Sequence, residues 1–155
     1  MINSSDPSIT FARESVSDSF CAEILPLAKN HWNEVGEFRE NGINPDFNTY
    51  KNLDEFGMIR LYTARKDSKL IGYSLFIVRQ SPRNVDLIHA DQDMIFIDKA
   101  HRGFGLSFIK WCESQLQAEG VHIIYQSVKK CNDWGAILKR MNYELIDHVY
   151  ARRLQ

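Results

Sequence analysis

With 155 residues, 44% of them hydrophobic and 25% charged, the chain is long enough to bury a core and too apolar to be a disordered or fibrous segment. Its formal net charge of −1 gives no global attraction to polyanions, so neither nucleic acid nor a membrane surface is an expected partner. Three cysteines, Cys21, Cys112 and Cys131, form no CxxC or Cys/His spacing, which argues against a disulfide framework or a bound metal and fits a reducing cytoplasm.

The N-terminal stretch MINSSDPSITFARES lacks the basic and apolar regions of an export signal, and no apolar run reaches bilayer-spanning length. The expectation is a cytoplasmic protein of one domain, residues 1–155. ITFARES has the β-branched and aromatic content of a first strand, and Ser15 and Ser17 are placed to cap a helix starting near Val16. Phe20, Ile24, Leu27 and His31 recur at helical spacing, with Cys21, Leu25, Ala28 and Trp32 beside them. Pro26 is expected to kink this helix or to begin its second half.

GEFRENGINPDFNTYKNLDEFG is rich in Asn, Gly and Asp, and holds a short helix from about Asp46. MIRLYTAR and KLIGYSLFIVRQ read as strands of a hairpin turning at KDS. After the break at SPRN, VDLIHADQDMIFI is a long strand, DKAHRGF leads into a helix from about Gly105, and VHIIYQSV is a strand. A strand, helix, strand unit of this kind predicts two parallel strands. NDWGAILKRMN reads as a short helix capped by Asn132 or Asp133, and YELIDHVYARRL as one or two closing strands. The fold class is therefore mixed α/β of the α+β type: a central mixed sheet with one parallel pair and flanking helices.

Two glycines, Gly103 and Gly105, stand where DKAHRGFGLS turns from strand to helix. A glycine near a helix start serves a tight turn, or it lets backbone N–H groups approach an anion at the positive end of the helix dipole. The order of elements and the run Arg102, Gly105, Ser107 resemble the GNAT superfamily of acyl-CoA-dependent N-acetyltransferases, whose signature is Arg or Gln, two residues, Gly, one residue, then Gly or Ala. Ser107 departs from the usual last residue but is small. The KDSKLIGY hairpin, the IFIDKAHRG approach, Asn132 and LKRMNYEL match in order, so the resemblance spans residues 9–154. HWNEV and HVYARRL are similar to segments of members encoded by tailed bacteriophages.

The resemblance implies acetyl-CoA as acetyl donor. Backbone groups of Gly103, Phe104, Gly105, Leu106 and Ser107 would cradle its pyrophosphate, with Arg102 either a phosphate contact or a solvated turn residue. The pantetheine arm would lie along the backbone of Ile95, Phe96 and Ile97, while Asn132 approaches the arm or simply caps a helix. Leu138 stands where many members carry a tyrosine that protonates the leaving thiolate, which leaves Tyr125 and Tyr143 as alternatives.

An ammonium cannot attack a thioester, so transfer to an amine needs a proton acceptor. His89, Asp91 and Asp93 alternate along one strand, and period two puts them on one face. Asp91 and Asp93 are the candidate bases, with a solvated or substrate-attracting acidic face as the other reading. Cys131 as an acetylated nucleophile lacks an activating histidine nearby in sequence. Glu34, Glu37 and Glu40 either attract an amine or form an exposed face, and Trp32, Phe38 and Tyr50 are placed to line an acceptor's apolar part. The acceptor is an amine on a small molecule or a protein. A CoA-binding or protein-interaction module without turnover is the alternative.

Overall fold

The computed structural model describes residues 6–154. Ile9–Glu14 (β1) is followed by one long helix, Asp18–Val35 (α1), whose N-terminus is capped by Ser17: its hydroxyl accepts from the Phe20 N–H at 3.2 Å. The helix runs through Pro26 without a second start, and it buries Phe20, Cys21, Ile24, Leu27 and Ala28 on the expected stripe. After a loop, Asp46 caps Phe47–Glu55 (α2) by accepting from the Thr49 N–H at 3.1 Å.

Ile59–Lys66 (β2) and Lys69–Ser81 (β3) form the expected hairpin. Its two turn residues, Asp67 and Ser68, take φ of 48° and 68°, as a two-residue turn matched to strand twist requires. Asn84–Ile97 (β4) returns antiparallel to β3, a 3-10 turn spans Lys99–Phe104, and Gly105–Ala118 (α3) crosses to Ile123–Tyr125 (β5). The sheet order is β1-β2-β3-β4-β5, and β4 and β5 are parallel through His89, Ala90 and Asp91 opposite Ile123, Ile124 and Tyr125.

Two apolar layers flank this sheet. On one face Phe20, Ile24 and Leu27 of α1 and Phe47, Tyr50 and Leu53 of α2 pack on Leu61, Tyr73, Leu75 and Phe96. On the other, Phe104 and Phe108, Cys112 and Leu116 of α3 pack on Tyr62, Ile71, Phe76 and Ala90. Cys112 is buried as a core residue, and burial pushes its thiol well above the ordinary range.

The C-terminal part differs from the sequence expectation. The strand after Gly120 is only three residues, because beyond Tyr125 the chain leaves β4 and the next contact, Ser127 N–H to Gln92 Oε1 at 3.1 Å, is to a side chain. Gly135–Arg140 (α4) begins after Trp134 rather than at Asn132, and Asp133 caps the turn by accepting from the Gly135 N–H at 2.8 Å. Residues 143–154 form no strand. Their alternating pattern has no ladder to join, and Leu145, Ile146, Val149, Tyr150 and Leu154 are exposed. Among the described residues no helix is long and apolar enough to cross a membrane.

Candidate active site

The decisive irregularity lies on β4. Leu75 pairs with Met94 but Phe76 pairs with Gln92, so Asp93 is an extra residue with no partner on β3. Across this bulge the facing set shifts from Asp91, opposite Ile77, to Met94 and Phe96, opposite Leu75 and Tyr73. Both sets face α1 and α2, where the Asp93 carboxylate accepts from Tyr50 Oη of α2 at 2.7 Å. A second irregularity is the parting of β4 from β5. The ladder ends at Asp91 and Tyr125, so Ile95 to Ile97 have no strand neighbour on that side.

These features open a cleft of about 1050 Å³ between α1, α2, the end of β4 and the segment after β5. Asp93, Met94, Ile95 and Phe96 supply one wall, and Ser127, Lys129, Asn132 and Trp134 the facing one. The glycine turn lies beyond the wide end of this gap. Its narrow apex is at Gln92 and Ser127, beside Asp93.

Two polar pairs sit in the cleft. One is Tyr50 with Asp93; burial, and then the hydrogen bond to that carboxylate, hold the Tyr50 phenol well above its ordinary pKa. The other is His31 with Tyr73, Nδ1 to Oη 2.8 Å, with the imidazole stacked on Phe96 at 4.9 Å. Burial pushes the His31 pKa down to about 4, so the ring is neutral at neutral pH.

At the wide end, Arg102 donates to the Ile97 carbonyl at 3.2 Å and lies over the Phe96 ring. Its Nη2 is 2.7 Å from both carboxylate oxygens of Glu34, which also accepts from Asn132 at 3.4 Å and lies 3.8 Å from Lys99. Hydrogen bonding from Arg102 holds the Glu34 carboxyl below the usual range. One turn further on, Glu37 pairs with Lys129 at 2.7 Å, and beyond α1 Glu40 pairs with Arg153. Glu37 and Glu40 are exposed, as a solvated face would be, while Glu34 is half-buried, and all three are ion-paired. Each holds a cation from the C-terminal half of the chain, and Glu37 and Lys129 both line the cleft.

The glycines differ in role. A Cβ on Gly105 would stand 3.3 Å from Ile97 Cδ1, so close helix-to-strand packing favours glycine there. A Cβ on Gly103 would meet nothing within 4 Å, so no protein neighbour demands its absence and the space outside its backbone is open. That space, the positive end of α3 and the nearby Lys99 and Arg102 suit a polyanion. The unpaired edge at Ile95 to Ile97 suits an extended arm that hydrogen-bonds as a strand would. The residues present thus fit acetyl-CoA.

Asp91 and Asp93, adjacent by period two, are separated by their surroundings. Asp93 lines the cleft, whereas Asp91 pairs with Arg79 at 3.2 Å on the closed part of the sheet. His89 packs its ring on Tyr125 at 5.3 Å, on that same closed part. Neither alternative tyrosine lines the cleft: Tyr125 is in the ladder with Asp91, and Tyr143 donates to Glu113 of α3. Leu138 is buried and Cys131 exposed, both off the cleft wall. Asn132 lines the cleft from a 3-10 turn, Lys130–Asn132, instead of opening α4. The Tyr50–Asp93 and His31–Tyr73 pairs carried no sequence signal, since each joins residues more than forty positions apart.

No protein-family model matches the sequence, and no curated protein matches it either. Solved structures do match over nearly the whole chain. An aminoglycoside acetyltransferase, meta-AAC0020, from an uncultured soil metagenomic sample, solved with sisomicin, is 15% identical with a TM-score of 0.73, over 96% of this chain and 98% of its own. Ribosomal-protein-alanine N-acetyltransferase from Brucella melitensis biovar Abortus 2308 is 18% identical with a TM-score of 0.69, over 95% and 99%. A predicted acetyltransferase from Clostridium acetobutylicum, solved with acetyl-CoA, is 11% identical with a TM-score of 0.68, over 94% and 96%. The fold is that of the GNAT acetyltransferases: a five-stranded mixed sheet with β4 and β5 parallel and helices on both faces.

Proposed function

We propose that the protein is an N-acetyltransferase that uses acetyl-CoA to acetylate a primary amine of a small molecule or a protein. The observation that carries this reading is the coincidence, at one apex, of the β4/β5 opening and the bulged Asp93 inside a cleft large enough for a cofactor arm and an acceptor. A fold alone does not assign a reaction, but this apex supplies what acetyl transfer to an amine requires.

When bound, acetyl-CoA supplies an activated acyl group. The turn at Gly103 to Ser107, with Lys99 and Arg102, would hold the phosphates, and the edge of Ile95 to Ile97 with Asn132 would orient the arm. Asp93 Oδ accepts the amine proton. Phe96, Trp134 and the α1–α2 loop line the cleft around it. The acceptors named for the similar structures, an aminoglycoside and a ribosomal protein's alanine, are both amines, which supports the general class.

A second reading, a CoA-binding module without turnover, has one observation in its favour: Leu138 is buried where many members present a tyrosine. Calorimetric titration with acetyl-CoA and separately with CoA tests both. Saturable binding followed by amine-dependent release of free thiol supports the transferase. Binding without release supports the module, and no binding removes both.

A further inference from the structure

The leaving sulfur must gain a proton, and the three tyrosine positions outside the cleft cannot deliver one. Tyr125 is held in the β4/β5 ladder, Tyr143 is bonded to Glu113, and the α4 position is Leu138. Two tyrosines line the cleft, Tyr50 and Tyr73. Tyr73 is buried to 1% exposure and its hydroxyl is committed to His31 Nδ1. Tyr50 is bonded to the one carboxylate at the apex, Asp93, at 2.7 Å.

An extended arm that enters from the glycine turn and follows Ile97 to Ile95 brings its reacting end to that apex. We propose that Tyr50 and Asp93 form a single proton-relay pair in which Asp93 receives the amine proton and Tyr50 gives its own to the departing thiolate, taking the place of a tyrosine on α4. The inference rests on the acetyltransferase reading.

The step balances without a further reactant. The nitrogen–carbon bond to the acetyl group forms, and the carbon–sulfur bond breaks with its electron pair going to sulfur. An amine proton goes to Asp93 Oδ, the phenolic proton of Tyr50 goes to sulfur, and the proton on Asp93 passes along the existing hydrogen bond to Tyr50 Oη. Both groups end as they began.

The charge logic is self-timed. While Asp93 is ionised it accepts from Tyr50 and opposes loss of the phenolic proton. Once Asp93 carries the amine proton, that opposition ends and the carboxylic acid can donate back. The relay therefore delivers a proton to sulfur only after the amine has given one up.

Tyr50→Phe keeps the ring that packs on the core and removes only the hydroxyl. One test measures CoA affinity by calorimetry and acetyl transfer to one fixed amine, in wild type and in Tyr50→Phe. The relay predicts lower turnover in the variant with CoA affinity unchanged within about twofold. A second test replaces Tyr50 by 3-fluorotyrosine and 3,5-difluorotyrosine, which change acidity and not shape. Turnover under the relay varies with phenol acidity, while a packing role leaves it constant. Unchanged turnover in Tyr50→Phe, or turnover indifferent to fluorination, overturns the relay and leaves the acetyltransferase reading standing. Failure of wild type to bind CoA removes both.

Discussion

Glu34 of α1 grips Arg102 of the glycine turn, with both carboxylate oxygens 2.7 Å from one guanidinium nitrogen. The side chain of Glu34 is 15% exposed and that of Arg102 41%, so solvent screens the pair from the arginine side. Under the proposed function, phosphate oxygens would compete with Glu34 for the same donor. Glu34→Gln is expected to tighten CoA binding about fivefold, equivalent to about 1 kcal/mol, as measured by calorimetry at low salt. Weaker binding in this variant would make Glu34 a support for the site instead of a competitor.

Gly103 separates electrostatics from packing at the glycine turn. Gly103→Glu places a carboxylate in open space, so the melting temperature should hold within a few degrees while acetyl-CoA binding is lost. Gly105→Glu should lose both binding and stability, because the added Cβ would stand 3.3 Å from Ile97 Cδ1. Thermal melts and titrations on the two variants, side by side, check this. Full binding by Gly103→Glu would move the phosphate site elsewhere.

The two acids of β4 should respond differently. Asp93→Asn is expected to retain acetyl-CoA affinity and lower turnover about 100-fold at neutral pH, the usual scale for losing a general base. Asp91→Asn removes a partner of Arg79 on the closed part of the sheet and should affect turnover far less. Steady-state kinetics with one fixed amine decide between them. Equal effects would place the proton acceptor outside β4.

His31 makes stability depend on pH in a defined window. Its folded pKa of about 4 lies below the ordinary 6.5, so the unfolded chain binds the extra proton between these values and stability rises with pH there. The contribution is complete above about pH 6.5 and is lost as pH falls toward 4. At about 1.4 kcal/mol per unit the span is on the order of 3 kcal/mol. Urea melts of wild type and His31→Gln across this range should differ in slope, and parallel slopes would show that the ring is not held neutral by burial.

Arg65 ties β1, β2 and α1 together. It meets Glu14 at 2.7 Å and Glu23 at 2.7 Å, and Thr63 also donates to Glu14 at 2.6 Å. Arg65→Met leaves Glu14, 25% exposed, without its cation, and is expected to cost about 2 kcal/mol in denaturant unfolding. Lysine should restore only part of this, because an ammonium cannot make the forked contacts of a guanidinium.

Local chemistry explains what was legible in the sequence. The α1 stripe from Phe20 to Leu27, the cap at Ser17, the Asp67–Ser68 turn and the strand, helix, strand passage through Gly105 are each written within a few residues, because helical period, capping and turn conformation are short-range properties. The same passage carried the resemblance to the GNAT fold, which the solved structures bear out. Period two alone could not tell Asp91 from Asp93. The difference arises from a bulge defined by pairing with β3, and from where β5 leaves β4, and both depend on residues far away in sequence. Glu34, Glu37 and Glu40 looked like one acidic face, and only the folded chain shows Arg102, Lys129 and Arg153 brought against them. The closing strand expected at 143–154 is absent because alternation records what a segment can pair with, and a ladder needs a partner placed beside it. Sequence by itself determined the elements and the turn that suits a phosphate. Tertiary structure decided which acid stands in the cleft, which tyrosine meets it and which charges are already paired, since those are contacts between elements and not properties of any one of them.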